Sequence, residues 1–369
     1  MPSDPILNLP YWGMPFYFWS AVFLMFGCIV GSFLNVVIHR LPLEQSIVSP
    51  PSHCPHCQYS IPWYLNVPLV TWIYLRGKCA NCGARISARY FLVELLTGVA
   101  FLACWLAYGS QSALLALAYC LFLSGLIAAT FIDFEHFIIP DEITIGGVAA
   151  GFFCSLVIPK LHGATTPAAS LTASFLGICA GAGLIYFVLR MGKLFFGRQR
   201  MSLPEFSKVI FTETGIVLGD EEIRYDELFY RKSDAVRLEA RTAELSDRCY
   251  RDVSVRLTPL KLRIGEEEFN PADVPYLEVT TDSLLLPREA MGLGDVKFMA
   301  AIGAFLGWPA VVFSLMASSV IGSIVGVTLI ALKKQTASGR LPYGPYIALA
   351  AVIWIFGGRL WWDWFWAVR

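Results

Sequence analysis

Residues 16–38, FYFWSAVFLMFGCIVGSFLNVVI, run for 23 positions without a charged side chain. An α-helix needs about 20 apolar residues to cross the hydrocarbon core of a bilayer, where lipid offers the backbone no hydrogen bonds. A membrane helix is therefore expected here. The preceding MPSDPILNLPYWG has no basic residue, and the run is too long for the core of a cleaved signal, so this helix should be a retained anchor. Comparable runs at 90–109, 111–132, 142–158, 168–190, 296–309, 310–332 and 343–362 bring the expected total to about eight helices, the sixth the shortest. Charge is unevenly placed: 34 of the 56 charged residues fall within 191–289, leaving 22 for the other 270 positions. With 15% charged residues, against roughly 25% in soluble domains, and no net charge, the chain is neither an ordinary soluble enzyme nor a nucleic-acid binder relying on bulk positive charge.

Basic residues near the helix ends give an orientation. With the first helix entering from outside, Arg40, Arg76, Lys78, Arg85, Arg89, Arg190, Lys193, Arg198, Arg200, Lys297, Lys333, Lys334 and Arg340 lie inside, and Lys160, Arg359 and Arg369 outside. That bias places the loops 39–89, 133–141, 191–295 and 333–342 in the cytoplasm. The C-terminal RLWWDWFWAVR reads as an aromatic belt at the outer interface.

The expected fold is thus a polytopic α-helical membrane protein with about eight transmembrane helices, a cytoplasmic cysteine-rich loop and a β-rich soluble insert. Its parts are an N-terminal segment with the first helix (1–42), the loop (43–89), helices two to five (90–190), the insert (191–290) and helices six to eight (291–369). In the insert, alternation through Val253-Ser-Val-Arg-Leu257 and Leu260, Leu262 and Ile264 before Gly265 predicts short strands.

Ten cysteines divide into two sets. Cys28, Cys104, Cys120, Cys154, Cys179 and Cys249 are isolated, mostly in apolar runs, and read as packing residues. The others form Cys54-Pro-His-Cys57 and Cys79-Ala-Asn-Cys82, two turns that can offer four thiolates to one tetrahedral Zn²⁺. Two disulfides are the alternative, disfavoured in a reducing cytoplasm. His53 or His56 could replace a thiolate, although a complete Cys₄ set needs neither. Such a site has no open coordination position, so the metal would hold the loop's shape and leave water unactivated.

Outside 191–289 there are nine acidic residues: Asp4, Glu44, Glu94, Asp133, Glu135, Asp141, Glu142, Asp295 and Asp363. Carboxylates near membrane spans are costly and so point to function. Asp133 closes the third helix and Asp295 opens the sixth, both at the expected cytoplasmic face. Two carboxyls in a partly desolvated site tend to share a proton; the charged one can activate water while the neutral one donates to a carbonyl oxygen. Asp133 is a poor cap for its own helix end, whereas Asp295 alone reads as an N-cap. Gly292 and Gly294 remove side chains where a substrate backbone would approach. Lys297 could set the pair's charge state or simply snorkel to the headgroups. Asp141 and Glu142 read as caps of the fourth helix, and Glu94 as reaching the headgroups.

These blocks resemble one family. Gly31-Ser-Phe-Leu-Asn-Val-Val-Ile-His-Arg-Leu-Pro42, the two CxxC pairs, Ser87-Ala-Arg-Tyr90 through Glu94, Ile132-Asp133 through Ile139-Pro-Asp141, Gly292-Leu-Gly-Asp-Val-Lys297 and Pro342-Tyr-Gly-Pro345 are similar, in this order, to the type IV prepilin leader peptidases. The resemblance implies a bacterial inner-membrane aspartic peptidase with Asp133 and Asp295 as its catalytic pair. It would cut the basic leader of a prepilin or pseudopilin after a glycine, on the cytoplasmic side, in service of a pilus or secretion machinery. Members with the CxxC pairs are typically also N-methyltransferases using S-adenosylmethionine, and no nucleotide fingerprint supports that cofactor independently. The stretch 191–290 departs from the family, whose members usually have a much shorter connection there. A proton- or cation-coupled transporter would also explain the carboxylates but gives the cysteine loop no role; a catalytically idle assembly scaffold is a further alternative.

Overall fold

The computed structural model describes residues 13–196, 198–219, 221–229, 234–245, 248–287, 292–332 and 341–367. Lys333, Lys334, Arg340 and Arg369, used above for orientation, lie outside them. The chain forms two compact units, one of Met1–Tyr186 with Gly292–Arg369 and one of Phe187–Met291.

The helices in chain order are α1 (Phe16–Arg40), the short α2 (Val70–Tyr74), α3 (Ala88–Tyr108), α4 (Ala113–His136), α5 (Asp141–Val157), α6 (Pro167–Phe196), a single turn α7 (Tyr225–Leu228) in the second unit, α8 (Leu293–Leu306), α9 (Trp308–Ala331), α10 (Gly344–Ile353) and α11 (Arg359–Ala367). A π turn, Trp354–Gly358, joins the last two. Among the described residues six helical stretches are long and apolar enough to cross a membrane: Phe16–Leu43, Ala88–Tyr108, Ala113–His136, Pro167–Gly192, Trp308–Ala331 and Gly344–Ala367. Two of the expected eight are apolar but short, since α5 has 17 residues and α8 has 14. Both are apolar helices of the unit, at or below the short end of the roughly 17–25 residues that cross a bilayer, so six spans are shown and the count of eight is not.

Local chemistry accounts for several helix ends. Ser87 Oγ accepts the N–H of Arg89 to cap α3, and Ser112 Oγ accepts that of Leu115 to cap α4. On α9 the exposed side chains Met316, Val320, Ile324 and Val327 form an apolar stripe at helical spacing. An exposed face of that composition suits lipid rather than water.

Small residues set a close contact between α1 and α3. At Gly98 of α3 an added Cβ would lie 2.5 Å from Cys28 Sγ and 3.2 Å from the Leu24 carbonyl of α1, and at Gly27 it would lie 2.8 Å from the Gly98 Cα. The backbones of α1 and α3 therefore approach as only glycine allows.

Polar cross-links gather helix ends at one end of this unit. Arg89 at the start of α3 pairs with Glu135 at the end of α4, and Asn35 Nδ2 near the end of α1 donates to the Tyr90 carbonyl at 3.0 Å. Lys297 on α8 donates to both oxygens of Asp141 at the start of α5, at 2.6 and 2.8 Å.

The second unit is an eight-stranded antiparallel sheet: β1 (Arg198–Phe211), β2 (Gly215–Leu218), β3 (Glu221–Arg224), β4 (Val236–Glu244), β5 (Cys249–Leu257), β6 (Leu262–Ile264), β7 (Glu267–Phe269) and β8 (Leu277–Pro287), in spatial order β3-β2-β1-β8-β4-β5-β6-β7. The alternation expected around Val253–Leu257 and Leu262–Ile264 appears as β5 and β6. Leu262 and Ile264 are buried beside Val255 and Leu257, and Gly265, at φ 61°, turns the chain into β7. Leu260 breaks the pattern: it is exposed, in the β5–β6 turn. Val209, Ile216, Leu238, Ala243, Val279 and Leu284 lie in the core of the sheet.

Replacing Gly98 by Val should lower the thermal unfolding midpoint, at a cost of about 1–3 kcal/mol from overpacking. Leu96→Ala, on an exposed part of the same helix, should move it far less. Thermal unfolding in detergent checks this, and equal midpoints for the two variants would contradict the packing.

Candidate active site and metal centre

Asp133 lies within the last turn of α4, since the helix runs on to His136, rather than after the helix as its sequence position suggested. It is 6% exposed, and its Oδ2 accepts the N–H of Gly344, the first residue of α10, at 2.9 Å. A carboxylate is unfavourable at the C-terminal end of its own helix and favourable at the N-terminus of another. The carboxylate that fails as a cap of α4 thus serves the start of α10. Gly344 is required there, because an added Cβ would fall 2.7 Å from Asp133 Oδ2 and 3.1 Å from Ile139 Cδ1.

Asp295 is 8% exposed and is the third residue of α8, so it is not the N-cap itself. Gly292 holds the N-cap position, and the Asp295 carboxylate reaches back to the Gly292 backbone N–H, as the acid of a capping box does.

Ile139, the one buried residue of the link between α4 and α5, joins the two acids. Its Cδ1 borders Gly344, while its Cβ and carbonyl lie 3.5 and 3.6 Å from the Cβ position of Gly294, next to Asp295. Asp295 lies outside the six membrane spans, and burial, with the Asp133 carboxylate beside it, pushes its carboxyl up to about 7. The structure therefore brings the two aspartates within electrostatic reach at one end of the helical unit, despite the 162 positions between them. Gly292 and Gly294 sit directly at this pair. Lys297 is committed to Asp141 instead, and so ties α8 to α5. Asp141 is the first residue of α5, as an acid at a helix start should be.

Sequence reasoning missed the parts played by Gly344 and Ile139 and misread Glu94. The Pro342-Tyr-Gly-Pro345 block was visible, but the approach of Gly344 to Asp133 belongs to tertiary structure. Glu94 does not reach outward to headgroups: it is 9% exposed, and its Oε2 accepts the N–H of Leu69 at 2.7 Å, anchoring the cysteine-rich loop to α3.

The two CxxC turns are geometric copies. Cys54 N–H donates to the Tyr59 carbonyl and Gln58 N–H to the Cys54 carbonyl; Cys79 N–H donates to Ala84 and Gly83 N–H to Cys79. The fifth residue of each turn has a positive φ, 56° at Gln58 and 72° at Gly83. Together the turns bring all four sulfurs within 4.8 Å of one another, with Cys54–Cys82 and Cys57–Cys79 at 3.9 Å. A disulfide needs about 2.05 Å, whereas four thiolates about 2.3 Å from one tetrahedral metal lie roughly 3.8 Å apart. The cluster can hold a four-coordinate metal and is not a pair of disulfides. Backbone N–H groups of Cys82 and Asn81 hold the Cys79 thiol down to about 6, favouring the thiolate a metal needs. His53 Nδ1 meets the Pro51 carbonyl and His56 is exposed, so neither is required in the set.

Comparison with known proteins bears on both features. Residues 25–108 match the bacterial peptidase A24 N-terminal domain, and residues 120–220 and 274–327 match the type IV leader peptidase family. A prepilin leader peptidase/N-methyltransferase of Dichelobacter nodosus is 34% identical over 210 residues, 49% of this chain and 70% of that protein. The chain belongs to the type IV leader peptidase family. A family protein of the same description from Aeromonas hydrophila is 28% identical over 373 residues, 93% of this chain and 92% of its own length. Another, from Myxococcus xanthus, is 48% identical over 141 residues, 37% of this chain and 42% of that relative. No solved structure matches the chain. The family match passes over residues 221–273, which fall inside the sheet unit.

The four-sulfur geometry predicts about one tightly bound metal ion per chain. Elemental analysis of the purified protein should find it, and Cys79→Ser should lose most of it. Equal metal content in the two proteins would contradict the site.

Proposed function

We infer that this chain is a membrane aspartic endopeptidase that removes the basic leader from type IV prepilins or pseudopilins and then N-methylates the new N-terminus. Its relatives carry both activities in their names. The reading rests above all on two buried carboxyls, Asp133 and Asp295, meeting around Ile139 and Gly344.

In this reading Asp133 and Asp295 are the catalytic pair and share one proton. The ionised carboxylate takes a proton from water, which attacks the scissile carbonyl carbon, while the protonated partner donates to the carbonyl oxygen. Burial beside Asp133 pushes the Asp295 carboxyl up to about 7, so Asp295 is the partner that holds the shared proton near neutral pH. Gly292 and Gly294 leave the approach to Asp295 open to an extended substrate backbone. Lys297 holds α8 against α5 and so fixes where Asp295 stands.

The positive-inside bias supports a bacterial inner-membrane location with this end in the cytoplasm, the face on which a prepilin leader would be presented. The machinery served is one that assembles pilins or pseudopilins. The Cys54, Cys57, Cys79 and Cys82 sulfurs fit Zn²⁺ as a structural ion. S-adenosylmethionine, when bound, supplies an electrophilic methyl group for the amine that cleavage exposes.

Asp133→Asn and Asp295→Asn should each reduce leader removal from a purified prepilin by about 10²–10⁴-fold, read by mass spectrometry of the pilin N-terminus. Unchanged cleavage in both would refute the assignment. The wild-type rate should fall as pH rises above about 7, because Asp295, raised to about 7 in the fold, then loses the proton it must donate. A rate that climbs steadily to pH 9 would contradict that role.

A further inference from the structure

On the solvent face of the sheet unit three arginines stand side by side. The strand register sets Arg237 of β4 opposite Arg256 of β5, and Arg256 opposite Arg263 of β6. Directly opposed residues on neighbouring strands share a face, and each of these arginines lies between two buried residues of its own strand, so the row is on the face away from the core. Arg256 and Arg263 are exposed and Arg237 is half-buried. Like charges opposed across a sheet destabilise it, and here the opposition repeats over three strands. The nearby acids leave the patch positive: Glu268, opposite Arg263, is hydrogen-bonded to Lys261 at 3.1 Å, and Glu239 stands two residues along from Arg237. A row of this kind calls for an anionic partner.

Two further observations choose the partner. Beside the row, the β5–β6 turn holds an apolar side chain out into solvent. Thr258 clasps the base of that turn, its Oγ1 donating to the Lys261 carbonyl at 2.8 Å and accepting the Lys261 N–H at 2.9 Å. Pro259 and Leu260 form the tip, and Leu260 is 61% exposed. An apolar group that can enter the interface, next to a basic patch, is the pair of signals that holds a protein on an anionic bilayer. The chain path agrees. The sheet unit, Phe187–Met291, opens inside α6, whose apolar stretch runs to Gly192. β1 starts at Arg198, two residues after α6 ends, and its Arg200 pairs with Leu285, which in turn pairs with Arg237. The arginine row therefore lies at the end of the sheet where the chain arrives from a membrane helix, since the four residues from Phe196 to Arg200 reach at most about 14 Å. A nucleic acid or a free phosphate could use the arginines equally well but gives Leu260 no role.

We propose that this end of the sheet docks on an anionic lipid surface, with Arg237, Arg256 and Arg263 against lipid phosphates and Leu260 entering the interface. The proposal goes beyond the peptidase reading and shares with it only the placement of the insert at the inner face, where the leaflet is negatively charged.

The test uses the full chain in two kinds of nanodisc, phosphatidylcholine alone and phosphatidylcholine with phosphatidylglycerol. The probe is a photoactivatable phosphatidylcholine in the first and a photoactivatable phosphatidylglycerol in the second, with adducts located by peptide mapping. In the anionic discs adducts should map within residues 256–263, and the neutral discs should give at least about fivefold fewer there. Replacing two arginines together, Arg256→Gln with Arg263→Gln, should cut the anionic yield about 25-fold, at about fivefold for each charge. Arg256→Lys with Arg263→Lys should keep most of it, and Leu260→Asn should lower it. Unchanged hydrogen exchange at the core residues Val209 and Val279 shows that the sheet is intact in each variant. Equal yields from the two lipids, no adduct within 256–263, or a wild-type yield in the double glutamine variant overturns the docking. The comparison of the two lipids on the wild-type protein decides the matter even where a variant fails to fold. Leader removal is not the readout, so the peptidase reading stands or falls separately.

Discussion

Two carboxylates buried at one end of an apolar helical unit govern the arrangement around them. Each would be costly alone in such a setting, and each is stabilised by a backbone N–H at a helix start: Gly344 for Asp133 and Gly292 for Asp295. Those bonds fix where α10 begins relative to α4 and how the GxGD turn enters α8. Ile139 fills the space between the two glycine-lined approaches, and the Lys297–Asp141 pair holds α8 to α5 close by. The helix ends at this site are thus positioned by the same polar groups that are proposed to act there.

Much of this was legible in the sequence, for a physical reason. Lipid requires long uncharged helices, so the apolar runs marked α1, α3, α4, α6 and α9 to within a few residues, and so few acids remained that Asp133 and Asp295 stood out. The two CxxC turns identified the four-sulfur cluster because four thiolates on two copied turns have one obvious geometric use. Short helices were harder. Periodicity finds α5 and α8 but not whether 17 and 14 residues traverse a bilayer.

Contacts between distant segments were not legible. Nothing local in Pro342-Tyr-Gly-Pro345 says that Gly344 donates to Asp133, and nothing local in Glu94 says that it accepts from Leu69 across the cysteine-rich loop. Asp295 read as an N-cap because sequence cannot distinguish that position from the third residue of the helix. The alternation in the insert correctly indicated β5 and β6, but it carried on through Leu260 because a two-residue period does not register where a turn interrupts it.

The central claim is that the carboxyls at 133 and 295 interact directly. Infrared difference titration of the Asp295 carboxyl, in the wild-type protein and in Asp133→Asn, tests it most directly. Removing the neighbouring charge should lower the Asp295 midpoint from its wild-type value of about 7. The same midpoint in both proteins would mean that the two groups do not sense each other, and would contradict the account.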